Sequence, residues 1–566
     1  MTYHPPIAQI LLAMKTAGQL GTSRYPDFSA ADAEAILNEA GKFAAERMAP
    51  LNQIGDQNPA RLENGKVFTP PGWKETYAEW CAGGWNGLAS ASRYGGQELP
   101  FLLSAACTEL WSAASLSFAL CSLLTTGAVE AIAAHGSEEL KQSYLPKMIS
   151  GEWSGTMNLT EPQAGSDLSQ LICKAQRRSD GTYRVTGTKI YITYGEQDFT
   201  SNIVHLVLAR LDGAPQGTKG ISLFLVPKFL PDGSRNDLRC HALEHMLGIH
   251  GSPTCNMIYG DNGGATGWLV GEENRGLNCM FTMMNNARLL VGVQGVALAD
   301  RAMQAALAFA RERKQGSAPG EKGGSSPIIN HPDVKRMLMD MRAKTAAARM
   351  LCMATASAID AASRAKSASE KNRATAHASF LTPLAKAYAT DIAVEVTSSA
   401  IQVHGGMGFI EATGVAQYYR DARILPIYEG TNGIQAMDLV TRKLQLGDGS
   451  ILSDTLNASQ QSLAPIIGEN AASIIVSDMR AMSDRISKSP GSHDALAAAT
   501  PYTRALAALV AAGYLAKAVD VANNSELQDE AKTTARYFAT VELPTAVASA
   551  KAAMTAASLL AETNLA

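Results

Sequence analysis

The sequence predicts a mainly α-helical protein with a β domain in its middle, and three observations carry that reading. Apolar residues recur at helical spacing from about residue 30 to 153, and again after about residue 280. Between about 157 and 270 the period changes, with Tyr183–Thr193 alternating or running β-branched, followed by the apolar runs Ile203–Leu208 and Ile221–Val226. Beyond Gly447-Asp448-Gly449 the chain turns alanine-rich and helical again to residue 566.

Taken in order, Ile7, Ile10, Leu11 and Met14 follow the i, i+3, i+4, i+7 spacing of a short amphipathic helix. The helical region after it is punctuated by Gly83-Gly84 and Gly95-Gly96. Gly181, Asp212-Gly213 and Asp232-Gly233 lie between or beside the β runs, so short antiparallel strands are expected. Val296, Met303, Leu307 and Ala310 mark one face of a long helix ending at Arg311-Glu312-Arg313-Lys314. Gly316 to Pro327 has the composition of a flexible loop, and further helices follow over about 332–365 and 375–403. The domain layout read this way is 1–155 α-helical, 156–278 β, 279–446 a helical bundle and 447–566 a helical extension.

A formal net charge of −3 gives no footprint for nucleic acid or an anionic membrane. Eight cysteines are scattered without a Cys-x-x-Cys pair, a pattern of isolated buried thiols in a reducing compartment. The first residues lack the pattern of a secretory leader, and the apolar run Ala505 to Ala516, bounded by Arg504 and Lys517, reads as too short to span a bilayer. The expectation is a soluble cytoplasmic protein with no membrane insertion and no nucleic-acid partner.

Four segments carry candidate chemistry. Glu429 is a lone carboxylate in Ile427-Tyr428-Glu429-Gly430, where apolar and aromatic neighbours should raise its pKa toward the value a general base needs. A loop glutamate that caps a helix or faces water is the competing reading. Gly430 would let the backbone turn there and let a substrate carbonyl approach the Glu429 N–H. Asn158 to Asp167 is a Pro/Gly-bent loop with hydroxyls at Thr160 and Ser166, suited to a polar planar ring or to an ordinary turn. Gln402-Val403-His404-Gly405-Gly406-Met407-Gly408 permits close approach of backbone to a phosphate or sugar, but follows no strand and is no Rossmann fingerprint. His241-Ala242-Leu243-Glu244-His245 formally matches a metalloprotease pattern, yet runs straight into Gly248 and Gly251 rather than along a helix, so no metal site is assigned.

Together, Asn158 to Asp167, Thr188-Lys189-Ile190-Tyr191-Ile192-Thr193, Arg311 to Lys314, Gln402 to Gly408 and Tyr428-Glu429-Gly430-Thr431 resemble the acyl-CoA dehydrogenase family, in family order over roughly residues 30 to 445. The extended length and Leu247 to Cys255 look most like the branch that contains 3-methylmercaptopropionyl-CoA dehydrogenases. The resemblance implies an N-terminal α domain, a middle β domain and a four-helix α domain. It also implies FAD as cofactor and an acyl-CoA thioester as substrate.

In that family scheme Glu429 takes the α-proton while a hydride leaves Cβ for flavin N5, giving a trans-2-enoyl-CoA. The thioester oxygen is held by the Glu429 N–H and a ribityl hydroxyl. The resemblance places Met157, Leu159, Thr160, Tyr191, Ile192 and Thr193 at the flavin. It places Arg313 and Gln402, Val403, His404, Gly405 and Gly406 at the ADP part, and Thr431 and Asn432 also at FAD. Ser166, Arg288 and Gly430 match substrate positions. Asn285 stands where some relatives carry an aspartate that contacts CoA. Implied partners are an electron-transfer flavoprotein and a second copy of the chain, since extended members are often dimers. An acyl-CoA oxidase shares most of these motifs. A nucleic-acid-binding flavoprotein of the same fold would call for a basic tail, whereas residues 446–566 hold eight Lys/Arg against twelve Asp/Glu.

Overall fold

The computed structural model describes residues 2–321 and 324–564. Lys322 and Gly323 of the predicted insert, and the outermost residues of the first and last predicted domains, lie outside the described residues. By packing, the chain forms two compact units, one of residues 46–99 and 114–287, the other of residues 1–45, 100–113 and 288–566.

The first unit carries a small ribbon, β1 (Arg61–Glu63) with β2 (Lys66–Phe68), and an eight-stranded sheet. The sheet strands are β3 (Trp153–Asn158), β4 (Lys174–Arg177), β5 (Tyr183–Thr193), β6 (Asn202–Leu211), β7 (Ile221–Pro227), β8 (Leu238–Leu243), β9 (Thr254–Tyr259) and β10 (Ala265–Val270). Their order is β10-β7-β6-β4-β5-β9-β8, with β3 beside β6, and β10 also pairs with β5 so that the strands close on themselves. The expected antiparallel sheet is corrected at two places: β3 and β4 both pair with β6 in parallel. Nearly every residue of β6 and all of β7 are buried, the sign of strands covered on both faces rather than one.

Helix Leu116–His135 lies close against β3 because Gly155 has no side chain there. A Cβ at that position would come within 2.6 Å of the Ala128 Cβ. Thr125 Oγ1 then accepts from the Gly155 N–H at 3.1 Å, so the strand is anchored to the helix by a hydrogen bond as well as by packing. Trp73 donates to the Tyr194 hydroxyl at 3.0 Å, which donates onward to Ser117 O at 2.7 Å, so the polar atoms of these buried rings are satisfied.

The second unit is helical. Its principal helices are the C-terminal part of Gly276–Glu312, then Pro332–Ser363, Ala368–His404, Ser450–Ile467, Glu469–Lys488 and His493–Val521, and a last continuous one over 528–562. Asp360 stitches together three segments remote in sequence. Its carboxylate accepts from the N–H groups of Phe101 and Leu102 at 2.9 Å and from the Tyr25 hydroxyl at 3.0 Å. Buried Arg349 bridges Glu109 and Asp300, and burial of all three is tolerable because each charge has a partner.

Among the described residues, three helices are long and apolar enough to cross a membrane by length and composition: Leu116–His135, His493–Val521 and the helix over 528–562. This corrects the reading of Ala505 to Ala516 as a short bounded run. Arg504 does not end the helix but pairs with Glu395, and the Lys517 ammonium lies over the Tyr514 ring. Within the protein, 78% and 72% of the apolar windows of the first two helices are already covered, against 33% for the third.

Candidate active site

Glu429 stands on a sharp turn between two helices. The chain leaves helix Val415–Ala422 and folds back on itself through Ile427 N–H to Ile424 O at 2.9 Å and Asn432 N–H to Pro426 O at 2.9 Å. It then enters helix Asn432–Asp438, whose first turn is capped by the Thr431 hydroxyl accepting from Ile434 N–H at 3.2 Å. Between the two, Glu429 and Gly430 are both left-handed, with φ of +55° and +86°. A non-glycine residue in that region costs roughly 1–2 kcal/mol, so the surrounding structure must enforce it. Among the described residues the Glu429 N–H donates to no acceptor, which leaves it available to a carbonyl oxygen.

The Glu429 carboxyl is half-buried, and desolvation raises its pKa although Arg288 and Lys386 pull the other way. Lys386, fully buried in helix Ala368–His404, donates to Gly430 O and to Asn432 Oδ1, each at 2.9 Å. Burial brings its pKa down to about 7, with Glu429 and Asp391 opposing. Asn432 completes the support by donating to Ala387 O at 3.1 Å and Asp391 Oδ1 at 2.7 Å. Tyr428 donates to Gln294 Oε1 at 2.5 Å, fixing the residue before the carboxylate. Arg288 Nε lies 3.4 Å from Glu429 O.

The predicted residues of the β-containing unit converge on the ends of β3 and β5. Met157 is buried on β3, while Leu159 and Thr160 are half-buried just beyond it. Their carbonyls are held from behind, Leu159 O by Lys189 Nζ at 2.9 Å and Thr160 O by Ile190 N–H at 2.9 Å. Lys189 also meets Glu161 at 2.8 Å in a buried pair. Desolvation pushes the Glu161 carboxyl up, but Lys189 and the N–H groups of Ile172 and Cys173 outweigh it and hold it low. Between Lys189 and Ile192 the pairing with β9 slips by a bulge, and Tyr191 at φ +61° is thrown outward, 59% exposed. Ile192 is buried, and Thr193 is half-buried with its carbonyl accepting from the Thr156 hydroxyl at 2.7 Å. Ser166 lies exposed in the turn between β3 and β4.

In the helical unit, Arg313 sits exposed just past the end of helix Gly276–Glu312, beside Gln315. Gln402 is exposed and Val403 buried, and Gly405 (φ +58°) and Gly406 have open space where a Cβ would stand. Two of the predicted residues have side chains already engaged within the helical unit. The His404 ring is buried, stacked 4.4 Å from Phe309, and donates through Nδ1 to Ala400 O at 2.7 Å, so its side chain packs the helix end. The Asn432 amide is fully engaged in holding Lys386 and its helix. The His241–His245 run lies along β8 and just past it, so its histidines do not share a helix face.

These residues fit FAD. An outward aromatic on a bulge and an open strand end suit a planar ring, and an open Gly-Gly turn flanked by the exposed apolar side chains of Met407, Phe409 and Ile410 suits a nucleotide part. Lys386, Gln294 and the Glu161–Lys189 pair were not found by sequence reasoning. The available signal was a single lysine in the apolar run Phe380 to Tyr388, and a glutamate inside an otherwise exposed turn.

Comparison with known proteins agrees with this architecture. Models of the acyl-CoA dehydrogenase N-terminal, middle and C-terminal domains match residues 30–152, 156–262 and 274–444. The chain is 52% identical to a 3-methylmercaptopropionyl-CoA dehydrogenase of Ruegeria pomeroyi, over 79% of this chain and 77% of that one. It is 36% identical to a butyryl-CoA dehydrogenase of Syntrophomonas wolfei, over 76% and 73%. Among solved structures, Caenorhabditis elegans ACDH-11 in complex with C11-CoA superposes with a TM-score of 0.80 at 20% identity, covering 95% and 91%. A Bacillus anthracis acyl-CoA dehydrogenase complexed with FAD gives 0.74 at 24%, covering 98% and 92%. The chain belongs to the acyl-CoA dehydrogenase family and is an FAD-dependent acyl-CoA dehydrogenase.

Proposed function

We propose that the chain oxidises a short or medium acyl-CoA, 3-methylmercaptopropionyl-CoA first among them, to the trans-2-enoyl-CoA, with Glu429 as the base. The observation that carries this is the Glu429 turn: a carboxylate of raised pKa next to its own unpaired N–H, forced into the left-handed region and braced by Lys386 from below. An α-proton next to a thioester is weakly acidic, so the base must be poised near working pH and the developing enolate charge must be met. Glu429 supplies the first, and its main-chain N–H, aimed at the thioester oxygen, supplies part of the second. FAD, when bound, accepts the β-hydrogen with its electron pair. Met157, Leu159, Thr160, Tyr191, Ile192 and Thr193 would hold its ring; Arg313, the Gln402, Val403, His404, Gly405 and Gly406 turn, Thr431 and Asn432 would hold the rest. Ser166, Arg288 and Gly430 would position the acyl-CoA.

The substrate assignment rests on similarity to the Ruegeria pomeroyi enzyme. An electron-transfer flavoprotein as acceptor and a homodimeric assembly complete the proposal. Cysteines that are all free support placement in the cytoplasm.

Anaerobic titration of the FAD-loaded protein with a panel of acyl-CoAs tests it. The 3-methylmercaptopropionyl or a short-chain thioester should bleach the flavin band, and Glu429→Gln should abolish the bleaching. Bleaching by the variant at the wild-type rate would remove Glu429 from the role, and a panel that bleaches nothing would remove the substrate class.

A further inference from the structure

The helical unit contains a recess of about 800 Å³ that none of the residues around Glu429 lines. Its walls are the turn Gln19 to Pro26, the junction between helices Pro332–Ser363 and Ala368–His404, and two helices of the extension, Ser450–Ile467 and His493–Val521. Ala358, Ala361, Leu381, Ile451 and Val510 give it an apolar floor.

The charges around that floor are unbalanced. Five cations (Arg24, Arg364, Lys366, Arg373 and Lys517) face two carboxylates, Glu370 and Asp454. Both carboxylates are already engaged. Glu370 accepts from the N–H groups of Lys366 and Ser367 at 3.1 and 3.2 Å, filling the start of its own helix, and Asp454 meets Arg373 at 3.3 Å. Arg24 is occupied by Ser357, donating to its carbonyl at 2.9 Å and its hydroxyl at 3.1 Å. Burial, with Arg24 and Arg373 alongside, lowers the pKa of His377, which disfavours a further positive charge on this ring.

Three cations pair with neither carboxylate of the recess, although Arg364 also feels the buried Asp360 carboxyl one turn earlier. Among the described residues Arg364, Lys366 and Lys517 form no ion pair. Arg364 and Lys517 instead rest on the Tyr25 and Tyr514 rings, at 5.6 Å each. Cations gathered at the mouth of an apolar-floored recess raise the local positive potential, which an anion relieves. A phosphate ester offers up to two charges and several acceptor oxygens to such a group. The volume falls within the range of small-molecule sites, about 300–1,000 Å³.

We propose that this recess binds a phosphate-bearing small molecule of nucleotide size, its phosphate on Arg364, Lys366 and Lys517 and its body on the alanine-rich floor. The site is built partly from the extension, which gives those helices a role beyond packing.

The test is isothermal titration of the FAD-loaded protein with AMP and with hexyl phosphate at low ionic strength, in wild type and in the double variant K366E/K517E. Both lysines are exposed, so the variant should melt with the wild type and retain its anaerobic bleaching by acyl-CoA. Saturable binding of either probe, weakened at least tenfold in the variant, is the expected result, and the stronger probe identifies the body as aromatic or aliphatic. No saturable binding of either probe, or binding indifferent to the double charge reversal, overturns the proposal.

Discussion

Glu429 holds two demands in tension. In the proposed role of base it must be ionised, yet its surroundings disfavour the ionised form. A carboxyl whose folded pKa lies above its unfolded one binds more protons in the native state, so stability is lost as pH rises through the window between the two values. Glu429→Gln removes that loss. The variant should therefore be inactive but melt higher than wild type at pH 7–8, by about 2 °C or more, with the difference vanishing below pH 4. Thermal melts across pH decide it, and a variant that melts lower at pH 8 would mean that the pairings with Arg288 and Lys386 outweigh desolvation. Lys386 is the other half of the residue-scale argument, because it pulls the Glu429 pKa down while holding Gly430 O. In Lys386→Met the alkaline-rising limb of the kcat/KM profile should move to higher pH, with roughly tenfold lower activity at neutral pH. A limb that stays in place would reduce Lys386 to a purely structural brace. The raised pKa of Glu429 was legible in the sequence, because a lone carboxylate among Ile427, Tyr428 and Gly430 is poorly solvated. Lys386 was not, since a helical lysine ordinarily snorkels to water and only the tertiary placement of the Gly430 carbonyl over it shows otherwise.

At the scale of elements, the ends of β3 and β5 depend on one buried pair. Removing the Lys189 ammonium leaves Glu161 charged and enclosed, and releases Leu159 O. Lys189→Met should cost about 3–5 kcal/mol. It should also lower the Tm and weaken FAD retention, and adding Glu161→Gln should recover part of the stability. Calorimetry of the two single variants and the double variant measures the coupling; additive losses would mean that the pair does not act as a unit. Strand positions were readable from alternation, but strand direction was not. The same β-branched run suits parallel or antiparallel neighbours, and only the near-complete burial of β6 distinguishes its surroundings. Composition also says little about which groups pair within the insert. Gly316 to Pro327 reads as flexible, yet Gln315 N–H bonds Ser326 O at 3.0 Å, Ser326 N–H bonds Gly316 O at 2.7 Å, and the Asn330 amide donates to Glu321 at 2.7 Å. Two of those bonds are between main-chain groups and the third joins two side chains, pairings that a count of Gly, Ser and Pro does not register.

For the whole molecule, the question is whether the extension is an appendage or part of the core. The sequence reading laid out helical regions one after another, and Ala-rich helices look alike whatever they pack against. Packing instead gathers residues 1–45, 100–113 and 288–566 into one unit. Helix His493–Val521 buries most of its length within that unit. Lys344 meets both Glu395 and Glu542, at 3.2 and 3.4 Å, and Glu395 in turn pairs with Arg504. Two of those four charges belong to the extension, so cutting the chain after residue 446 would leave Lys344 and Glu395 facing each other without the rest of their network. It would also expose an apolar face along helices Pro332–Ser363 and Ala368–His404. Burial of that kind contributes about 25 cal/mol per Å², so a few hundred Å² of newly exposed apolar surface is comparable to the roughly 5–15 kcal/mol by which a domain is stable. A chain ending at 446 should accordingly fail to accumulate as soluble, FAD-containing protein, even though the family's matched domains end at 444. Expression of the truncated chain beside the full one, followed by flavin absorbance and a thermal melt, decides this. A truncated protein that retains flavin and melts within a few degrees of the full chain would show that the extension is carried rather than required.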